Sequence, residues 1–191
     1  MFDLVKQLMI ARELEFGEGK IAFFSQRMQL VDPAFFAYRL KHADDFWKEA
    51  HLQYKSMKEA NMEAWFEPVK KIKEIKGDEL VKWATRYHNL AGWGSVSFEA
   101  TQIKKGRAKV KILNSPIATA YIQMFGKTNH PICHLNRGGI AGGASTIIDG
   151  NLDAIEIKCL AQGHPHCEMI VRPKDEFREF EDKSLLKQLE G

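Results

Sequence analysis

Apolar positions set the organisation of this chain, changing period twice along its length. Over residues 3–12, Leu4, Leu8 and Met9 recur at helical spacing and predict a short amphipathic N-terminal helix at 1–12. From Leu14 to Ile21 a Gly17-Glu18-Gly19 turn separates two strand-like runs, and the segment from Lys20 to Val31 continues as a meander. Asp32-Pro33 is a helix start, an acid at the cap followed by proline at the first helical position. From there to about Asn89 the period is helical. Phe46, Ala50, Tyr54 and Met57 form one stripe and Leu80, Ala84, Tyr87 and Ala91 another, with Pro68 and Gly77 dividing the region. Ala91-Gly92-Trp93-Gly94 closes the last of these helices.

The period then drops to two. Val96, Phe98 and Ala100 alternate with polar residues, and so do Val110 and Ile112 with lysines, across a turn at Gly106. Such a hairpin has one face in water and one on a core. Pro116 opens a helix through Phe125. Residues 136–148 carry Gly138, Gly139, Gly142 and Gly143, poor helix formers, so a helix here requires close approach to a neighbour or a ligand. Leu152–Leu160 and Cys167–Val171 predict two more strands joined by a turn at Gly163-His164-Pro165, and Phe177, Phe180, Leu185, Leu186 and Leu189 predict a last amphipathic helix at 175–189.

Composition adds few constraints. The chain has 191 residues, 45% of them hydrophobic, enough for a core without disulfides and for a single domain over 1–191, with the core at about 14–171. A net charge of +3, spread and interleaved with acids, gives no sign of a nucleic-acid partner. Lys70, Lys71, Lys73 and Lys76 beside Glu67 and Glu74 read as a solvated helix face, and Lys104-Lys105-Gly106-Arg107 as a hairpin tip. No apolar run is long enough to span a membrane, and the N-terminus lacks a signal-peptide pattern. Three cysteines, all in the last third, suit a reducing compartment, so the expected location is cytoplasmic.

The chemistry concentrates in Cys133, Glu156, Cys159 and Cys167. A structural zinc ion wants four ligands in a tetrahedron, thiolates preferred and carboxylate accepted. Cys159 and Cys167 flank the Gly163-Pro165 turn, which can bring two sulfurs together from adjacent strands. Glu156, three residues before Cys159, points to the opposite face of a regular strand, so joint ligation requires a bulge. The spacing matches no common zinc ribbon or finger. Three unrelated buried thiols fit it too, and His130, His134, His164 or His166 could stand in for Glu156 as fourth ligand.

The tract Glu156-Ile-Lys-Cys159-Leu-Ala-Gln-Gly163-His-Pro-His-Cys167 resembles the end of the 4-vinyl reductase domain. That family includes the sensor domains of phenol- and xylene-responsive activators and is related in fold to a subunit of vesicle-tethering complexes. The resemblance implies an α+β fold, an antiparallel sheet packed against several helices, of the NO-signalling and Golgi-transport ligand-binding type. It further implies a zinc site at Cys133, Glu156, Cys159 and Cys167, a homodimer, and a small hydrophobic or aromatic ligand. Trp83, Tyr87, His88, Trp93, Phe98, Tyr121 and Phe125 are the candidate ligand-binding residues, with Ile122 and Ser97 beside them; aromatics at helical spacing serve equally as core.

The ATPase and DNA-binding modules of the activators have no counterpart in this chain, so the expectation is a stand-alone sensor-type protein passing any signal to a protein partner. Alternatives are an accessory or scaffolding subunit with a vestigial pocket, or an enzyme acting on a tetrapyrrole as the family name suggests. No dinucleotide fingerprint follows a strand, and four protein ligands leave zinc no open position for catalysis. The sequence therefore points away from an enzyme and names no catalytic residue.

Overall fold

A computed structural model describes residues 6, 9, 14–23, 26–66 and 77–190, and the structural statements below concern these residues. Backbone contacts divide the chain after Asp32 into two units. Lys6 and Met9 of the expected N-terminal helix are helical, while the rest of that helix and the expected break at Pro68 lie outside the described residues.

The first unit contains a three-stranded antiparallel sheet of β1 (Leu14–Gly17), β2 (Lys20–Phe23) and β3 (Gln26–Met28) in that order. Gly17 pairs with Lys20 across a tight turn in which Gly19 takes a positive φ of 63°. Arg27 donates to the Gly19 carbonyl at 2.9 Å and ties the third strand to that turn.

The second unit begins with helices α1 (Pro33–His42) and α2 (Phe46–Ala60), the latter capped by Asp45, whose carboxylate accepts from the amides of Trp47 and Lys48. Helix α3 (Asp78–Leu90) follows, then the hairpin of β4 (Ser95–Gln102) and β5 (Arg107–Leu113), α4 (Pro116–Phe125), α5 (His134–Ile148), and the hairpin of β6 (Leu152–Lys158) and β7 (Cys167–Pro173). The four strands form one antiparallel sheet in the order β4-β5-β7-β6. The two-residue period places Phe98, Val110, Met169, Ala154 and their neighbours on one face, where they form a core with Ile117 and Ala118 of α4 and Ile140 and Ala141 of α5. Each buried aliphatic here contributes roughly 1.5–3 kcal/mol.

The glycines of α5 serve a helix neighbour. A Cβ on Gly138 would stand 2.2 Å from the Tyr54 carbonyl, and one on Gly142 would stand 2.4 Å from that of Lys58. The two are four residues apart, hence on one helical face, and only hydrogen in place of a side chain lets α2 and α5 approach so closely.

β6 is an edge strand, and its outward main-chain groups are covered by side chains at every second residue. Ser145 Oγ accepts from the Leu152 amide at 3.0 Å, Arg137 donates to the Ala154 carbonyl at 3.0 Å, and Gln188 pairs with the main chain of Glu156. An edge satisfied in this way is a poor template for another strand.

One sequence expectation is corrected. Residues 175–189 do not form a single α-helix: two 3₁₀ segments, Lys174–Glu179 and Lys183–Leu189, flank an extended Phe180. Asp182 restarts the second by accepting from the Ser184 amide. The break leaves Phe177 buried in the first segment and Gln188 buried in the second, so local capping and tertiary anchoring override the amphipathic period.

Candidate metal centre

Four elements bring the cysteines and the glutamate together. Cys133 is the N-cap of α5, Glu156 sits on the core face of β6, Cys159 opens the 3₁₀ turn Leu160–Gln162, and Cys167 is the first residue of β7. The bulge that the sequence requires is present. Between Glu156 and Lys158 the register with β7 slips, two steps on β6 opposing the single step from Met169 to Glu168. Gly163 then turns the chain in the left-handed conformation at φ 96°, returning it towards Cys167.

One ligand atom from each of Cys133, Glu156, Cys159 and Cys167 lies within 4.8 Å of all the others, and all four residues are buried. Cys133 Sγ is 3.5 Å from Cys167 Sγ and 3.9 Å from Cys159 Sγ. A tetrahedral ion with metal–sulfur bonds of about 2.3 Å needs sulfurs about 3.8 Å apart, so these separations suit a zinc-sized ion. No histidine joins the group among the described residues. His134 is buried against the rings of Phe46 and Trp47, and His166 lies 3.4 Å from Glu168.

Further contacts orient the donors. The Cys133 amide donates to Glu156 Oε2 at 2.9 Å, whereas Oε1 has no hydrogen-bond partner. Ser115 Oγ lies 3.3 Å from Cys133 Sγ, and the Leu160 amide donates to Cys167 Sγ at 3.3 Å. Without a cation the cluster resists accumulating charge. The contacts of Cys133 with Cys159 and Cys167, together with burial, hold its thiol well above the ordinary range; burial and the neighbouring Cys159 do the same to Glu156. Cys159 is favoured as thiolate by Cys133, but Cys167 and burial outweigh this and push it to about 11. Cys167 alone falls, to about 6, because Cys133 and Cys159 both donate to it. One negative charge is thus accommodated unaided, and full ionisation calls for a cation in the middle. The donor set, the sulfur spacing and the orphaned Glu156 oxygen together fit a divalent metal.

The candidate ligand-binding residues do not gather at one place. Trp83 and Tyr87 stack on α3 with ring centroids 5.6 Å apart, and the buried His88 has Nδ1 2.9 Å from the Ala84 carbonyl. Trp93 is half-buried, its carbonyl accepting from Asn136 at 2.8 Å, and Ser97 is exposed. Tyr121 and Phe125 pack edge to face on α4, with Phe125 against Tyr38 and His42 of α1 and Ile122 half-buried beside them. Phe98 lines an apolar cavity of about 30 Å³ with Val81, Ala108, Ile147, Leu152 and Val171. That cavity lies at the Leu152 end of β6, about 13 Å along the strand from Glu156.

Sequence reasoning missed Arg137 and Gln188, both fully or almost fully buried. A lone arginine inside an otherwise apolar and glycine-rich run is the one signal that could have found the first; nothing in the local pattern marks the second.

Comparison with known proteins follows the same residues. The family model of the V-4-R (vinyl-4-reductase) domain matches residues 110–173, a stretch containing Cys133, Glu156, Cys159 and Cys167. No curated protein matches the sequence. Among solved structures, the phenol-responsive sensory domain of the transcription activator PoxR, with phenol, superimposes with a TM-score of 0.78, covering 100% of this chain and 98% of that one at 24% identity. A trafficking protein particle complex subunit 3 from Naegleria fowleri, covalently bound to palmitic acid, superimposes at 0.52 over 74% of this chain and 95% of its own, at 12% identity. A vinyl-4-reductase family protein from Methanocaldococcus jannaschii aligns at 0.47 over 76% of this chain and 82% of its own, at 16% identity. The chain therefore carries a vinyl-4-reductase domain at 110–173, within a fold similar to that of the PoxR sensory domain.

Proposed function

We propose that this chain is a zinc-containing, small-molecule-binding protein of the vinyl-4-reductase-domain sensor type, its ligand hydrophobic or aromatic. The observation that carries the metal half is the convergence of three thiols and one carboxylate on a single buried point. Thiolate-rich tetrahedral sets favour zinc over the harder divalent cations. Bound there, zinc would supply a closed structural cross-link between the start of α5 and the β6–β7 hairpin. The residues of the chain do the rest: the bulge turns Cys159 towards Glu156, and the Leu160 amide holds Cys167 Sγ.

The ligand half is supported by similarity of fold to a domain that was solved with phenol. A homodimer and an output partner belong to the same proposal. Native mass spectrometry of the purified protein reads metal content and subunit number together. The expected result is one zinc per chain, a lower melting temperature after chelation, and a rise in melting temperature with phenol or a related aromatic. Absence of zinc combined with a melting curve indifferent to chelator would refute the metal reading; no response to any small aromatic would refute the sensor reading.

A second reading, an accessory subunit with a vestigial pocket, is favoured by one measurement. The Phe98 cavity, at about 30 Å³, is far below the roughly 150 Å³ of an engineered cavity that admits benzene. Recovery of a stoichiometric protein partner from cells, with zinc bound and no aromatic response, would select this reading.

A further inference from the structure

Arg137 is a buried positive charge with no paired carboxylate among the described residues. Its side chain is fully buried, with the guanidinium carbon 3.8 Å from the centre of the Tyr54 ring. Nη1 donates to the Ala154 carbonyl at 3.0 Å, while Nε and Nη2 have no hydrogen-bond partner among the described residues. Asp153, the other buried acid nearby, is engaged by the Lys58 ammonium and the Tyr54 hydroxyl. Burial lowers the guanidinium only to about 10, the nearby Tyr54, Glu156 and Asp153 raising it, so it is charged at neutral pH. An unpaired charge in such a place is costly, and proteins rarely keep one without compensation.

The cluster next to it has the opposite imbalance. Three thiolates and one carboxylate around one divalent cation leave two negative charges in excess. Arg137 is joined to both arms of that cluster. Its amide donates to the Cys133 carbonyl at 2.9 Å, and its side chain grips β6 at Ala154, two residues before Glu156.

We infer that Arg137 is the counter-charge of the metal centre, a positioning residue that lets three thiolates and Glu156 ionise together around the cation. The inference rests on the metal reading of the Cys133 cluster and adds to it the residue outside the ligand set on which metal affinity depends. It also accounts for a fully buried arginine in a glycine-rich helix that aliphatic side chains could fill.

The test compares the full-length wild type with Arg137→Met, Arg137→Gln and Arg137→Lys. Zinc affinity is read by competition with a chromophoric chelator, the thiolate-to-metal absorption by cobalt(II) substitution, and stability by denaturation with and without metal. Arg137→Met and Arg137→Gln should weaken zinc binding by about 10- to 100-fold, the range typical of residues that support metal ligands, while the metal-free protein loses no stability. Arg137→Lys, which keeps the charge, should restore most of the affinity. Should Arg137→Met not fold without metal, Arg137→Gln, which can still donate to Ala154, carries the comparison. Zinc affinity unchanged in Arg137→Gln, or stability lost equally with and without metal, would overturn the inference and make Arg137 a packing strut on Tyr54. Failure of the wild type to take up zinc or cobalt would instead bring down the metal reading itself, and that is seen before any variant is made.

Discussion

Gln188 clasps the main chain of Glu156. Its Oε1 accepts from the Glu156 amide and its Nε2 donates to the Glu156 carbonyl, both at 3.0 Å, in place of the strand that would otherwise continue the sheet. A residue 32 positions away along the chain thus holds the carboxylate-bearing strand at its bulge. Gln188→Ala would leave a buried donor and a buried acceptor unsatisfied, a cost of roughly 2–4 kcal/mol. Urea denaturation should show that loss, and chelator competition should show weaker metal retention because Glu156 is no longer held. A fully stable Gln188→Ala protein would mean that water replaces the side chain at no cost.

The α2–α5 contact makes a sharp distinction between adjacent glycines. Gly138→Ala and Gly142→Ala drive a methyl into the backbone carbonyls of Tyr54 and Lys58, and each should destabilise by about 2 kcal/mol or more. At Gly139 the added carbon would meet only side-chain atoms, the nearest His88 Nε2 at 3.5 Å. Gly139→Ala should therefore be neutral or stabilising by up to about 1 kcal/mol through helix propensity. Thermal melts of the three variants measure the contrast directly.

His88 makes stability depend on pH. Burial holds its imidazole below the ordinary value of 6.5, against the opposing hydrogen bond to the Ala84 carbonyl. The unfolded chain therefore binds a proton that the folded chain refuses. The contribution is fully present above pH 6.5 and falls as pH drops below it, by up to about 1.4 kcal/mol per unit, until the folded-state value is reached. The difference in stability between wild type and His88→Gln should shrink by this slope between about pH 6.5 and 5. A constant difference over that window would show that His88 is protonated in the folded protein.

Phe98 limits the apolar cavity between α3, α5 and the sheet. Because the ring is half-buried, Phe98→Ala should cost about 1–3 kcal/mol, less than for a core phenylalanine. The enlarged space should then take up benzene or phenol, read as a thermal shift larger than that of the wild type. Equal shifts in both proteins would place aromatic binding elsewhere.

Much of this architecture was legible in the chain itself. The Pro116–Phe125 helix, the β4–β5 hairpin about Gly106 and the Gly163 turn followed from period and turn chemistry, because each is stabilised mainly by neighbours a few residues away. The four candidate ligands also followed from residue type and spacing, and even the bulge at Glu156 could be required in advance, since side-chain alternation forbids joint ligation without it.

Tertiary structure alone decided the rest. Whether the α5 glycines face a helix or a ligand depends on which element lies against them, and here that is α2. The amphipathic period of 175–189 promised one helix, yet the Asp182 cap and the docking of Gln188 onto Glu156 outweighed it. Arg137 and Gln188 acquire their roles from partners on distant segments. Local pattern reports the preferences of a segment for helix, strand or turn, whereas the worth of a buried charge or amide is set by the field and the unsatisfied groups that the rest of the chain brings to it.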